Sequence, residues 1–170
     1  MKTPPFCLFS KDIQRKILSA RIPITSQIDA FVGEYLSSNF KPGTHVLNYW
    51  GNTEQTHNLE NLGYCTFLHD IDMALTASHH RYCLSCVYPV VFNLHTLAFI
   101  PYRTNILDLA LTEMIDSVAL DGTLIIGLDS KLNFRRTNYI KNRVSSEFID
   151  FSDYSKKGWG FLLVASNRRS

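Results

Sequence analysis

The stretch from His45 to Asp72, "HVLNYWGNTEQTHNLENLGYCTFLHDID", predicts a strand, a turn, a helix and a second strand. It opens with an apolar run, keeps helical character until Gly63, and continues into a second apolar run that ends on two acids. Asn52 and Gln55 have the spacing of a capping box, and Gly63 stands where a helix C-cap glycine belongs. This layout is typical of the first half of a nucleotide-binding α/β unit.

The turn between the first strand and its helix is unusual for such a unit. Where several glycines are the rule, the chain has Tyr49, Trp50, Gly51 and Asn52. Glycines at this point let backbone approach a ligand closely. The sequence therefore predicts either a site that works differently or a fold that has lost its site.

The segments on either side of this stretch extend the α/β pattern. "TSQIDAFVGEYLSS" carries apolar residues at helical spacing, and Ser26 is a candidate cap. "RYCLSCVYPVVFNL" is a β-prone run that we expect to end at Pro89, which has no N–H to donate. "TNILDLALTEMIDSVAL" predicts a helix, followed by a turn at Asp121-Gly122 and by the apolar strand "TLIIGL". "NYIKNRVSS" predicts a short helix, and "EFIDFSDY" and "GWGFLLVAS" predict an antiparallel hairpin.

Strands that alternate with helices predict an α/β fold. We expect a Rossmann-like, mostly parallel sheet with helices on both faces and a C-terminal antiparallel β-hairpin. The 170 residues suit one domain, with residues 1–22 as an N-terminal arm and 23–170 as the core.

Composition narrows the class of protein. Hydrophobic residues make up 45% of the chain and charged residues 19%, which is typical of a globular protein. No apolar run is long enough to span a bilayer, and the first residues do not read as a signal peptide. The four cysteines are too sparse for a disulfide scaffold. We expect a cytoplasmic, reduced protein without membrane contact.

Charge is unevenly distributed along the chain. The net charge is +2, but residues 44–130 carry −7 and residues 131–170 carry +6. The basic C-terminal region is a candidate contact for nucleic acid, and a solvated surface is the alternative.

The order of the motifs resembles the class I S-adenosylmethionine-dependent methyltransferases from about Ile22 to Ala165. "HVLNYWGNTEQTHNLENLGY" is similar to the family's first motif, and "LHDID" to the acid that ends its second strand. "HRYCLSCVYPVVFNL" resembles the fourth-strand motif. "ILDLALTEMIDSVALDGTLIIGL" resembles the helix, turn and fifth strand, and "FIDF…GWGFLLVAS" the final reversed hairpin.

The resemblance implies S-adenosylmethionine as cofactor and assigns residues to it. Asp70 would bind the ribose hydroxyls, with Asp72 as the second choice. The segment from Cys86 to Val91 would lie beside the cofactor. The expected cofactor-binding residues are Asn48, Tyr49, Trp50, Gly51, Asn52, Asp70, Ile71, Cys86, Val87 and Tyr88.

Two departures from the family pattern concern the first motif. Asn48 replaces the usual acid and supplies no charge for the methionine ammonium or the sulfonium. Tyr49 and Trp50 replace glycines, and the loop is about one residue short. Trp50 would either stack on a ligand or fill its place.

Other signals point to weaker alternatives. The CxxC at Cys83 and Cys86 would put its thiols on opposite faces of a strand. His69, His79 and His80 have no enforced metal spacing, so we predict no metal site. Asp129 is a candidate ligand contact at the mouth of the fifth strand, or a loop acid.

Three functions remain open at this point, and no catalytic base can be named. The first is an active methyltransferase, with a nucleic acid or a small molecule as acceptor. The second is a catalytically inactive methyltransferase-like protein that binds a partner. The third is another nucleotide-binding α/β domain or a nucleic-acid-binding module.

Overall fold

The computed structural model describes residues 11–12, 15, 27–69, 86–100, 105–128, 134–155 and 160–170. Its helices with described bounds are Gln27–Asn39 (α1), Thr53–Asn61 (α2), Asn105–Asp116 (α3) and Phe134–Ser145 (α4). A short 3₁₀ turn covers Thr96–Phe99. Its strands are His45–Tyr49 (β1), Cys65–His69 (β2), Tyr88–Leu94 (β3), Val118–Leu128 (β4), Phe148–Asp153 (β5) and Phe161–Arg168 (β6).

The strands form one mixed sheet in the order β2-β1-β3-β4-β6-β5. The strands β2, β1, β3 and β4 are parallel to one another, with Val46 opposite Thr66 and Val90. β6 runs antiparallel to β4 and β5, so the final hairpin inserts its second strand between them. The predicted α/β fold with a C-terminal antiparallel hairpin is confirmed.

Helices cover both faces of the sheet. On one face, Ile28, Val32 and Leu36 of α1 are 0–3% exposed and pack with apolar residues of β3, β4 and β6. On the other face, the buried residues of α3 and α4 join a larger apolar cluster. Gly127 of β4 allows α1 to approach closely, because a Cβ there would meet Ile28 Cγ2 at 2.7 Å.

The helix signals near the first strand are confirmed at both ends of α2. Asn52 accepts from the Gln55 amide while the Gln55 side chain accepts from the Asn52 amide, which completes the capping box. Gly63 follows the helix with φ +91°, a left-handed value that favours glycine at this position. The predicted cap at Ser26 lies outside the described residues.

Two expected strand boundaries are wrong. Pro89 lies near the start of β3 and does not end it. Asp121-Gly122 does not close a turn before the next strand, because β4 already begins at Val118. The register jumps from Tyr88–Val118 to Val90–Thr123, so the Asp-Gly pair forms an irregularity within the strand. A proline at the start of a strand beside such a bulge loses little, since its missing N–H is not needed there.

No helix within the described ranges is both long enough and apolar enough to cross a membrane.

Candidate functional site

The sheet has its topological switch point between β1 and β3. These two strands are neighbours in space, yet the chain passes through β2 between them. The helix after β1 lies on one face of the sheet and α3 on the other. In open α/β sheets, ligands bind in the crevice that such a change of direction leaves at the carboxyl ends of the strands. The turn that starts at Asn48 borders this crevice.

The structure brings the predicted first-motif residues together in this turn and buries all of them. Asn48 and Tyr49 are 0% exposed, Trp50 is 1% exposed and Asn52 is 7% exposed. Gly51 is also buried. Trp50 has φ +53°, a left-handed conformation that the family's glycine would adopt without strain. Its indole belongs to the apolar cluster on the α3 face of the sheet.

Asn48 lies beneath the turn and fixes its shape. Its Nδ2 donates to the Asn52 carbonyl at 3.3 Å and to Thr56 Oγ1 at 3.2 Å. A Cβ on Gly51 would overlap the Asn48 carboxamide, so the turn needs glycine for steric reasons. Asn48 Oδ1 is buried and accepts no hydrogen bond from the described residues.

The end of β3 and the residues that follow it form the other wall of the crevice, and they were not among the predicted site residues. Asn93 Nδ2 donates to the Tyr49 carbonyl at 2.8 Å, and Thr96 Oγ1 donates to the Trp50 carbonyl at 2.8 Å. Asn93 Oδ1 is buried without a donor in the described part of the chain. Polar residues at the end of the apolar run "VVFNLHT" were the available signal. These bonds hold the two walls at a fixed distance.

The strand direction separates three expected cofactor residues from this crevice. Cys86 and Val87 precede β3, and Tyr88 is its first residue, opposite Val118. They therefore lie at the amino end of β3, whereas the turn lies at the carboxyl end. The expectation for Cys86, Val87 and Tyr88 came from the resemblance of this stretch to the family's fourth-strand motif, and the sequence ended the strand at Pro89. Once β3 runs on to Leu94, its carboxyl end moves to Asn93 and Leu94.

Asp70 and Ile71 lie outside the described residues, as do Asp72, His79, His80, Cys83 and Asp129. Their expected roles stay predictions. Among the residues that are described, no group of three potential ligands lies close enough to hold a metal ion.

An aromatic cluster supports the turn from the α3 face. Tyr49 stacks on Trp50 with ring centroids 5.0 Å apart and meets the His69 ring edge-on at 4.8 Å. The Tyr49 hydroxyl donates to Glu113 Oε2 at 2.7 Å. Burial lowers the pKa of His69 to about 4, although the negative charge of Glu113 acts in the opposite direction. The Trp50 amide donates to the His69 carbonyl at 2.6 Å, which ties the turn to β2.

A polar network joins α1 to the same edge of the sheet. His95 Nε2 lies 2.9 Å from Asp29 Oδ2, and Gln55 Nε2 donates to Asp29 Oδ1 at 3.4 Å. Because Gln55 also takes part in the capping box, this network connects α1, the turn and the end of β3. Asp29 and His95 are 66 positions apart, and no local pattern predicts their contact.

Three basic side chains of the C-terminal region form ion pairs within the fold. Arg143 contacts Glu147 and Asp108, and Lys141 contacts Asp153. Arg168 donates to the Ile115 carbonyl and lies 3.4 Å from Asp116. At the start of α4, Phe134 is 75% exposed, and the neighbouring Arg135 is exposed as well.

No protein-family model matches the chain, and a sequence search among characterised proteins finds no match. Solved structures do match it. Magnesium protoporphyrin IX methyltransferase from Synechocystis PCC 6803, with bound S-adenosylmethionine, has a TM-score of 0.61 and 16% identity, covering 95% of this chain and 86% of its own. The N-methyltransferase NodS from Bradyrhizobium japonicum WM9, in complex with S-adenosyl-L-homocysteine, has a TM-score of 0.58 and 9% identity, covering 94% and 97%. The amino pentose methyltransferase CalS10 from Micromonospora echinaspora has the same TM-score and identity, covering 94% and 98%.

At identities of 9–16% these likenesses concern the fold and not the chemistry. The chain therefore has the fold of the class I S-adenosylmethionine-dependent methyltransferases.

Proposed function

We propose that the protein is an S-adenosylmethionine-dependent methyltransferase that binds its cofactor at the crevice between β1 and β3. The observation that carries the proposal is the pair of buried amide oxygens, Asn48 Oδ1 and Asn93 Oδ1, at adjacent carboxyl ends. A buried acceptor without a donor costs about 1–3 kcal/mol. A ligand with cationic groups would offset that cost, and S-adenosylmethionine carries both an ammonium and a sulfonium group.

The residues present fit this cofactor through neutral acceptors in place of a carboxylate. Asn48 and Asn93, both 0% exposed in the closed turn, would face its positive charge once the turn opens, and the turn up to Asn52 would lie against it. Asp70 would accept hydrogen bonds from its ribose hydroxyls. When bound, the cofactor supplies an electrophilic methyl group; the protein positions the acceptor in line and excludes water. Because Asn48 stands where the family has an acid, we expect the cofactor to bind more weakly than it would to a site with a carboxylate at this position.

Calorimetric titration with S-adenosylmethionine, and separately with S-adenosyl-L-homocysteine, tests the proposal. We expect micromolar dissociation constants, because several hydrogen bonds and an apolar surface contribute together. Asp70→Ala should weaken binding about 10-fold or more, as expected for a lost charged hydrogen bond. Asp121→Ala removes an exposed carboxylate near the amino end of β4, away from the crevice, and should leave the affinity for the cofactor unchanged. Equal loss in both variants, or no heat at millimolar ligand, contradicts the proposal.

A second candidate function is a catalytically inactive, partner-binding protein. The observation that favours it is the complete burial of the Trp50 side chain against Tyr49, together with the bond from Thr96 to the Trp50 carbonyl. In that case the aromatic pair occupies the space a cofactor would need. Trp50→Gly places glycine at the left-handed position and removes the indole. If this variant binds the cofactor and the wild type does not, the wild-type protein is the catalytically inactive one.

An exposed aromatic residue at the start of α4 favours a nucleic acid as the methyl acceptor. Phe134 and Arg135 are the first residues of α4, which follows β4 in the chain, and β4 ends at Leu128 on the edge that holds the crevice. An exposed aromatic beside an arginine is suited to stack on an unpaired base. The net charge of residues 131–170 supports phosphate contact.

Phe134→Ala is expected to weaken binding of a single-stranded oligonucleotide by about 1–3 kcal/mol, since one stacking partner is lost. Fluorescence anisotropy at several salt concentrations measures it. Ile149→Ala, which truncates an apolar side chain on β5 that is 64% exposed, is the matched control. If the affinity changes neither with salt concentration nor in Phe134→Ala, a nucleic-acid acceptor at this surface is excluded. A small molecule is then the acceptor class that is left.

A further inference from the structure

A cleft of about 610 Å³ runs between α1 and α2, beside the polar network of Asp29. Its floor is apolar and consists of Val32, Leu59, Phe92 and Leu94. This volume falls within the range of sites that hold small molecules, and an apolar floor with a few polar groups is their usual lining.

Among the residues that the structure describes, the charged side chains that line the cleft are the acids Asp29 and Glu34, and the other polar lining residues are neutral. The Asp29 carboxylate is only 23% exposed and receives the Gln55 amide and the His95 ring at one end of the cleft. A partly buried carboxylate at the end of an apolar cleft favours a positively charged group.

Gly33 provides an independent argument for an occupant. Glycine in the middle of a helix is destabilising relative to alanine, so its presence in α1 needs a reason. Neither a left-handed conformation nor close packing against the described residues supplies one, because Gly33 has no positive φ and a Cβ there would meet none of their atoms within 4 Å. The open space above Gly33 is the cleft itself.

We propose that this cleft binds a small molecule that consists of an apolar body with a protonated amine, and that Asp29 is the counter-ion of the amine. The apolar body lies on Phe92 and Leu94, and the space above Gly33 admits it. The site is distinct from the turn after β1 and does not depend on cofactor binding there.

Titration with three probes of equal length, hexylammonium, hexan-1-ol and hexanoate, tests the proposal on the full chain by NMR chemical-shift changes. We expect hexylammonium to bind about fivefold more tightly than hexan-1-ol, as for a partly exposed ion pair. Hexanoate should bind more weakly than both. Asp29→Asn should abolish the preference for the amine, whereas Glu54→Gln, an equal loss of charge outside the cleft, should preserve it.

Gly33→Leu fills the cleft and should weaken both hexylammonium and hexan-1-ol by about 10-fold or more. His57→Leu adds the same side chain to the outer surface of α2 and is its control. If Gly33→Leu does not fold, the comparison of Asp29→Asn with Glu54→Gln decides alone. Equal affinity for amine, alcohol and carboxylate, or undiminished binding in a folded Gly33→Leu variant, would overturn the proposal. Absence of binding by all three probes would overturn it as well.

Discussion

Gly51→Ala is expected to lower the free energy of unfolding by about 3 kcal/mol. The added methyl group would overlap the Asn48 carboxamide, which is buried and held by Asn52 and Thr56. Overpacking of this kind costs about 1–3 kcal/mol, and each hydrogen bond that Asn48 loses on moving adds about 1 kcal/mol. Urea denaturation measures the change.

A double-mutant cycle identifies the cause. Asn48→Ala alone removes the same hydrogen bonds and should also destabilise the fold. In Asn48→Ala/Gly51→Ala the obstacle to the new methyl group is absent, so the combined loss should be smaller than the sum of the two single losses. Additive losses would show that Gly51 is required for another reason. The cycle matters for function, because the Asn48 carboxamide borders the crevice at which we propose the cofactor.

Acidification from pH 6.5 to pH 4 is expected to cost the fold about 3 kcal/mol through His69 alone. The His69 side chain is 1% exposed, and burial lowers its pKa to about 4 from an ordinary value of 6.5. Between these two values the unfolded chain binds a proton that the folded chain excludes. Stability from this group is therefore complete above pH 6.5, falls as the pH falls, and changes no further below pH 4.

Denaturation at a series of pH values, in the wild type and in His69→Gln, isolates this contribution. Carboxylates that titrate over the same range act in both proteins, so the difference between the two curves reports His69. That difference should shrink toward low pH by about 3 kcal/mol. His57→Gln, in which an exposed imidazole on α2 is lost, controls for the removal of a histidine as such. A constant difference between wild type and His69→Gln across the range would refute the assignment.

Local sequence patterns predicted the elements near the turn well. Three such patterns are confirmed: the apolar face of α1, the capping box of Asn52 and Gln55, and Gly63 after α2. Each depends on residues within a few positions of one another. The alternation of apolar strands and helices also predicted the mixed sheet and its final hairpin.

The last residue of β3 and the first residue of β4 were predicted wrongly, because the residues at these points are compatible with more than one local structure. Proline and an Asp-Gly pair usually end strands, yet both are tolerated at a bulge between neighbouring strands. Whether a bulge forms depends on the partner strand. Because β3 continues to Leu94, the expected cofactor residue Tyr88 lies at the amino end of the strand, whereas Asn93 lies at the carboxyl end, beside the turn.

By itself, the sequence determined the helices, most strands and the position of the altered turn, since periodicity and capping are properties of adjacent residues. Only the tertiary structure decided what the turn touches. The bonds from Asn93 and Thr96 to the turn span more than 40 positions, and the contact of His95 with Asp29 spans 66. Such pairs form because parallel strands bring their carboxyl ends to one edge of the sheet, and the burial of both amide oxygens follows from that packing and from no local pattern.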